Sequence, residues 1–294
     1  MNTLKGLGVA MVTPFKKDLT VDVDALKALT THLVENGADY LVVMGTTGET
    51  PVLDKEDKKL LLDTILATNA GRKPVVLGMG GNNTHELCLQ LDRMDTTGIS
   101  AILSVSPYYN KPTQRGFYEH FKAIALEVGI PHCVYNIPGR SAKNIEPDTI
   151  AKLAELENIT MVKEATGSLD QCSQILNSTN LTVLSGDDSL TLPMMSVGAE
   201  GVISVAGNIV PTDLLAMVRA ALSGDFVGAA KLHHKLFPLC RDMLYLATNP
   251  IPVKSAMQLL GRDTGELRLP MTSLEPKELE ALKSTLIRYG ILAK

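Results

Sequence analysis

A glycine followed by an uninterrupted apolar run recurs along this chain, and it constrains the fold more than any other feature. Gly37 leads into Tyr40–Val43, Gly98 into Ala101–Val105, and Gly198 into Gly201–Val205, each after a helical pattern; a weaker echo starts at Gly129. Glycine at such a point suits a left-handed helix cap, and a run without polar alternation suits a strand buried on both faces. The same reading places strands near 7–12, 39–44, 74–79, 100–106, 132–136, 159–164, 181–185 and 201–205. Leu26, Leu29 and Leu33 repeat at helical spacing between them, as do Leu87, Leu91 and Met94; Phe117, Phe121, Ile124 and Val128; and Leu215, Val218 and Leu222. Asp54 and Asp57 are placed to cap the second helix reciprocally.

Eight buried strands alternating with helices imply a parallel sheet, and eight is the number that closes a (β/α)8 barrel. An open doubly wound sheet would call for Gly-x-Gly-x-x-Gly after an early strand, and Gly78-Met79-Gly80-Gly81 does not match it. The expected fold is therefore α/β: a (β/α)8 TIM barrel over 1–224 with a C-terminal helical appendage over 225–294. In that appendage Ala229, Leu232 and Leu236 mark a helix that Pro238 should break or kink. Pro250 and Pro252 mark a turn before a helix near 253–261, and Leu279, Leu282 and Leu286 mark a last helix.

Composition supports a large core, with 45% apolar and 20% charged residues among 294. A net charge of −4 argues against a nucleic-acid or anionic-membrane surface. Cys88, Cys133, Cys172 and Cys240 share no Cys-x-x-Cys spacing and read as buried thiols of a reducing, cytoplasmic compartment. Met1 to Gly6 lacks a signal-peptide layout, and no apolar run reaches membrane length.

Barrels of this kind carry function at the C-terminal ends of their strands. The sixth strand reads Ile159-Thr160-Met161-Val162-Lys163-Glu164, and its lysine is out of place in a core. Such a lysine is either a rim residue paired with Glu164 or a buried one whose depressed pKa leaves a nucleophilic amine, able to form a Schiff base with a carbonyl. Gly45-Thr46-Thr47-Gly48 offers N–H groups and hydroxyls to a small carboxylate, or is a turn bonded to itself. Tyr108, Tyr109 and Tyr135 are candidates for a proton relay or for rim packing. Arg140 is a bidentate partner for a carboxylate or a surface charge. Asp187 and Asp188 read as a helix cap and argue against a phosphorylated substrate, while His233 and His234 read as solvated. No histidine pattern suggests a metal site.

Taken together, Gly45–Glu49, Pro107–Pro112, Tyr135–Arg140, Lys163–Gly167, Ser185–Asp188, Gly201–Val205 and Asn249–Lys254 resemble the dihydrodipicolinate synthase group of class I aldolase-like barrels, which includes N-acetylneuraminate lyase. The resemblance spans the chain. It implies a lyase of lysine and diaminopimelate biosynthesis that condenses pyruvate with L-aspartate semialdehyde to 4-hydroxy-tetrahydrodipicolinate. Lys163 would form the imine, Tyr135 shuttle protons, and Thr46 and Tyr109 complete the relay, Tyr109 from a neighbouring subunit. Thr47 and the Ile203 backbone would hold pyruvate, with Gly186 also in the substrate site and Arg140 on the second substrate's carboxylate. No metal or organic cofactor is implied, and the expected assembly is a homotetramer built as a dimer of dimers.

Asn82, Glu86 and Tyr108 match an L-lysine effector site, but Lys55 and Lys58 stand where sensitive members place histidines, so inhibition is expected to be weak or absent. Ser141-Ala142 departs from the commoner Thr-Gly or Thr-Ser after the arginine. The alternatives are a pyruvate-dependent relative, such as N-acetylneuraminate lyase or a keto-deoxy sugar acid aldolase or dehydratase, and an inactive barrel used as a binding module.

Overall fold

The computed structural model describes residues 4–293, so Lys294 and the first three residues of the stretch considered for a signal segment lie outside it. The strands are β1 (Gly6–Ala10), β2 (Tyr40–Val43), β3 (Val75–Gly78), β4 (Ala101–Val105), β5 (His132–Asn136), β6 (Ile159–Glu164), β7 (Thr182–Ser185) and β8 (Gly201–Ser204). They close in chain order into one barrel, each neighbouring pair parallel. The connecting helices are α1 (Val23–Glu35), α2 (Lys55–Asn69), α3 (Thr84–Asp92), α4 (Gln114–Glu127), the short α5 (Pro138–Ser141), α6 (Pro147–Leu153), α7 (Leu169–Ser178), α8 (Thr191–Ser196) and α9 (Pro211–Leu222). After the barrel come α10 (Phe226–Tyr245), α11 (Ile251–Leu259) and α12 (Pro276–Tyr289). Among the described residues no helix is long and apolar enough to cross a membrane.

The continuous apolar strands follow from two buried faces. Successive side chains alternate, so Tyr40, Val42, Leu103, Tyr135, Met161 and Leu184 fill the barrel interior. Leu41, Val43, Ile102, Val134, Val162 and Val183 face outward and join the core beneath the helices. Gly37, Gly98 and Gly198 do take left-handed φ values of +101°, +79° and +117°, whereas Gly129 does not. Asp54 and Asp57 form the reciprocal cap at the start of α2.

The C-terminal helices share the outer core through Leu236, Leu239, Met243, Val253, Met257, Leu282 and Leu286. Pro238 does not break its helix, which runs from Phe226 to Tyr245. Proline removes one donor from the ladder, but the residue whose carbonyl loses it, His234, is exposed to water. Pro252 lies inside the first turn of α11 rather than before it, where a missing N–H is an orphan in any helix. On α9 the buried face is Leu214, Met217, Val218 and Ala221, so Leu215 and Leu222 sit off the expected stripe. His233 is half-buried against Phe237, with ring centroids 5.6 Å apart, and only His234 is exposed. Cys133, Cys172 and Cys240 are buried thiols, and Cys88 is half-buried.

Candidate active site

Strands β5 and β6 pair with Tyr135 opposite Lys163 and Asn136 opposite Glu164. Alternation turns the first pair into the barrel and the second pair out toward the helices. Glu164 accepts hydrogen bonds from Asn136 Nδ2 at 3.0 Å, Gln171 Nε2 at 3.1 Å and the Thr166 backbone N–H at 2.7 Å. A rim lysine paired with Glu164 is therefore not what this chain holds. Lys163 is 6% exposed, and its Nζ lies 4.0 Å from the centre of the Tyr135 ring.

Burial drives the Lys163 pKa down to about 8, helped by the Arg140 charge and opposed by Cys133 and Asp188. Burial likewise pushes the Tyr135 hydroxyl well above its ordinary value, so it stays protonated at neutral pH and can act as an acid. Gly186 makes room for the lysine. A Cβ there would stand 2.6 Å from Ala165 Cβ and 3.2 Å from Lys163 Cε.

The two aspartates divide their work. Asp187 Oδ1 accepts from the Ser189 N–H at 2.8 Å, the expected cap, and its other oxygen accepts from the Tyr245 hydroxyl. Asp188 Oδ2 accepts from the N–H groups of Val205 and Ala206, both at 2.9 Å, and so fixes the chain just beyond β8. Ile203 sits on that strand opposite Gly8, buried at the barrel interior. Burial raises Asp188 to about 6, partly offset by these hydrogen bonds.

At the exit of β2, Thr46–Gly48 form one tight helical turn. Thr13 Oγ1 donates to the Gly48 carbonyl at 2.7 Å and ties this turn to the exit of β1. Glu49, at a left-handed φ of +54°, is buried and accepts from Lys254 Nζ at 2.9 Å and from the Arg268 N–H at 3.1 Å. Lys254 is itself fully buried, donates also to the Thr13 carbonyl at 2.8 Å, and lies 4.2 Å from the Phe15 ring centre. Thr47 Oγ1 accepts from Asn249 Nδ2 at 3.0 Å, and Arg140 Nη2 donates to the Asn249 carbonyl at 2.9 Å. Sequence reading singled out Asn249–Lys254 as a motif but gave its residues no task. A lysine in an otherwise apolar segment was the available signal, as it was for Lys163.

Some expected site residues are not joined. The Thr46 side chain makes no hydrogen bond among the described residues, and it is half-buried. Tyr109 is 88% exposed with a φ of +71°, so its ring projects from the loop after β4 into open space. Asn82 Nδ2 donates to the Tyr108 carbonyl at 3.2 Å, and Glu86 is exposed on α3. Lys55 is exposed and Lys58 half-buried, both on α2.

The sequence model of the dihydrodipicolinate synthetase family matches residues 3–288. The chain belongs to that family. Among similar family members, the 4-hydroxy-tetrahydrodipicolinate synthase of Aquifex aeolicus is 46% identical over 293 residues, 99% of each chain. That of Methanocaldococcus jannaschii is 43% identical over 289 residues, 98% of this chain and 99% of its own. The crystal structure of the chloride-inhibited dihydrodipicolinate synthase from Acinetobacter baumannii, complexed with pyruvate, has a TM-score of 0.95 at 38% identity and is covered over its whole length by 99% of this chain. The barrel with C-terminal helices is thus the family fold, as the sequence implied.

Proposed function

We propose that this protein is a 4-hydroxy-tetrahydrodipicolinate synthase, a lyase that joins pyruvate to L-aspartate semialdehyde by way of a Schiff base on Lys163. The observation that carries the chemistry is the buried Lys163 amine beside the Tyr135 ring at the C-terminal mouth of the barrel. Near-full-length relatives bearing that activity's name support the choice of reaction.

In this reading Lys163 Nζ attacks the keto carbon of pyruvate, and loss of water leaves an imine. The imine draws electrons from the methyl group, which gives up a proton and becomes an enamine carbon. That carbon adds to the aldehyde carbon of the second substrate, forming a C–C bond and a hydroxyl. The second substrate's amino group then attacks the imine carbon, closes the ring and expels Lys163 as the free amine. One water leaves overall, and no electrons are gained or lost.

Tyr135, kept protonated by burial, hands protons to and from these intermediates, with Thr46 and a neighbouring subunit's Tyr109 continuing the relay. Thr47 and the Ile203 backbone hold the pyruvate carboxylate, and Gly186 leaves space for the substituted lysine. Arg140, at the mouth, receives the carboxylate of aspartate semialdehyde. The barrel over 1–224 supplies the reacting groups, and the helical region over 225–294 braces them. The working assembly is a homo-oligomer, with a tetramer as the expected form.

The test is a substrate comparison. Turnover of pyruvate with L-aspartate semialdehyde should greatly exceed cleavage of N-acetylneuraminate or of keto-deoxy sugar acids. Faster turnover of a sugar acid reassigns the second substrate, and no turnover of any of them leaves a binding module.

A further inference from the structure

Asn249 is 6% exposed and meets two groups of the proposed site at once, Thr47 through its side chain and Arg140 through its backbone carbonyl. The side-chain contact has a direction. A threonine hydroxyl carries one proton and two acceptor lone pairs. Because Asn249 Nδ2 donates to Thr47 Oγ1, it occupies a lone pair and cannot take the proton. The Thr47 proton is left for another acceptor. Asn249 Oδ1 is buried without a partner. Reversing the amide would give Oδ1 the Thr47 proton but leave the NH2 group without that acceptor. The amide is carried just ahead of α11, whose buried Lys254 is anchored to Glu49 and Thr13 in the same turn system.

We propose that Asn249 is a positioning residue for pyruvate: its side-chain amide sets Thr47 as a donor to the pyruvate carboxylate, while its carbonyl holds Arg140 at the mouth. This rests on the Schiff-base reading above. It assigns the helical region a direct part in substrate affinity without any contact to the reacting carbon.

Trapping of pyruvate on Lys163 with borohydride, followed against pyruvate concentration, separates affinity from chemistry. Asn249→Ala should raise the half-saturating pyruvate about tenfold, the loss expected for one hydrogen bond to a charged group. The limiting trapping rate and its pH midpoint should not move, because Lys163 sets both. In a Thr47→Val background the same substitution should change half-saturation little, since the hydroxyl it acts through is gone. Asn249→Asp, which keeps the shape but only accepts, should weaken pyruvate at least as much, and it serves if the alanine chain does not fold. Equal effects in both backgrounds, or an Asn249→Asp chain with ordinary half-saturation, overturn the proposal. A parent chain that traps no pyruvate at any concentration removes the Schiff-base reading itself, and this inference with it.

Discussion

Lys163 and Tyr135 stand opposite each other in register on adjacent parallel strands, with the lysine nitrogen 4.0 Å from the centre of the tyrosine ring. An aromatic face favours an ammonium, whereas burial disfavours it. Burial wins, and the Lys163 pKa falls from 10.5 to about 8.

On the proposed Schiff-base mechanism, that value sets the pH dependence of the first chemical step. At pH 7 roughly a tenth of such an amine is neutral, against about 0.03% for an ordinary lysine. The rate of imine formation with pyruvate should rise close to tenfold per pH unit up to about pH 8 and then level off. Stopped-flow or quenched trapping across pH 6 to 10 measures it. A rate still climbing at pH 10 would mean that Lys163 is not perturbed.

The same shift makes Lys163 costly to the fold. Between about pH 8 and 10.5 the unfolded chain holds a proton that the folded chain lacks, so stability rises with pH across that window. Below it both forms are protonated, and the folded state bears the full cost of a buried ammonium, at most about 3 kcal/mol. Lys163→Met should therefore be inactive yet harder to unfold in urea at pH 7, with the gap narrowing as pH rises toward 10.5. A less stable variant at pH 7 would contradict the assignment of burial as the cause.

Tyr109 is exposed in the single chain, and the proposed relay has a neighbouring subunit receive it. Mixing inactive Tyr109→Phe subunits with inactive Lys163→Ala subunits should recover part of the activity through mixed sites. Absence of recovery despite demonstrated subunit exchange would place Tyr109 off the reaction path.

L-Lysine should inhibit weakly or not at all. The ammonium groups of Lys55 and Lys58 near the start of α2 donate hydrogen bonds and accept none, and their charge opposes an ammonium ligand, although solvent screens the exposed Lys55. Initial rates titrated with L-lysine decide this, and half-inhibition at submillimolar concentration would sink the expectation.

The barrel was legible because its strands are buried on both faces and so stand out from the amphipathic helices between them. Lys163 was legible for the opposite reason, as a charge where solvation forbids one. Its orientation was not, since only the pairing with β5 reveals that Glu164 turns outward to Asn136 and Gln171. Asn249 and Lys254 reach Thr47 and Glu49 across 202 and 205 residues, and no local pattern encodes such contacts. Pro238 pointed to a break or kink because a helix interior dislikes proline, and packing through Leu236, Leu239 and Met243 keeps α10 unbroken across it.

Two lysines are buried among the described residues, and only one should react. Lys254 donates to the Glu49 carboxylate and the Thr13 carbonyl; burial lowers its pKa and Glu49 opposes that shift, whereas Lys163 has no ion pair among the described residues and its pKa falls to about 8. Incubation with pyruvate and borohydride, followed by peptide mass mapping, tests the central claim most directly. The account predicts a single reduced pyruvyl adduct on the peptide carrying Lys163. An unmodified Lys163 peptide, or an adduct on Lys254 instead, would contradict it.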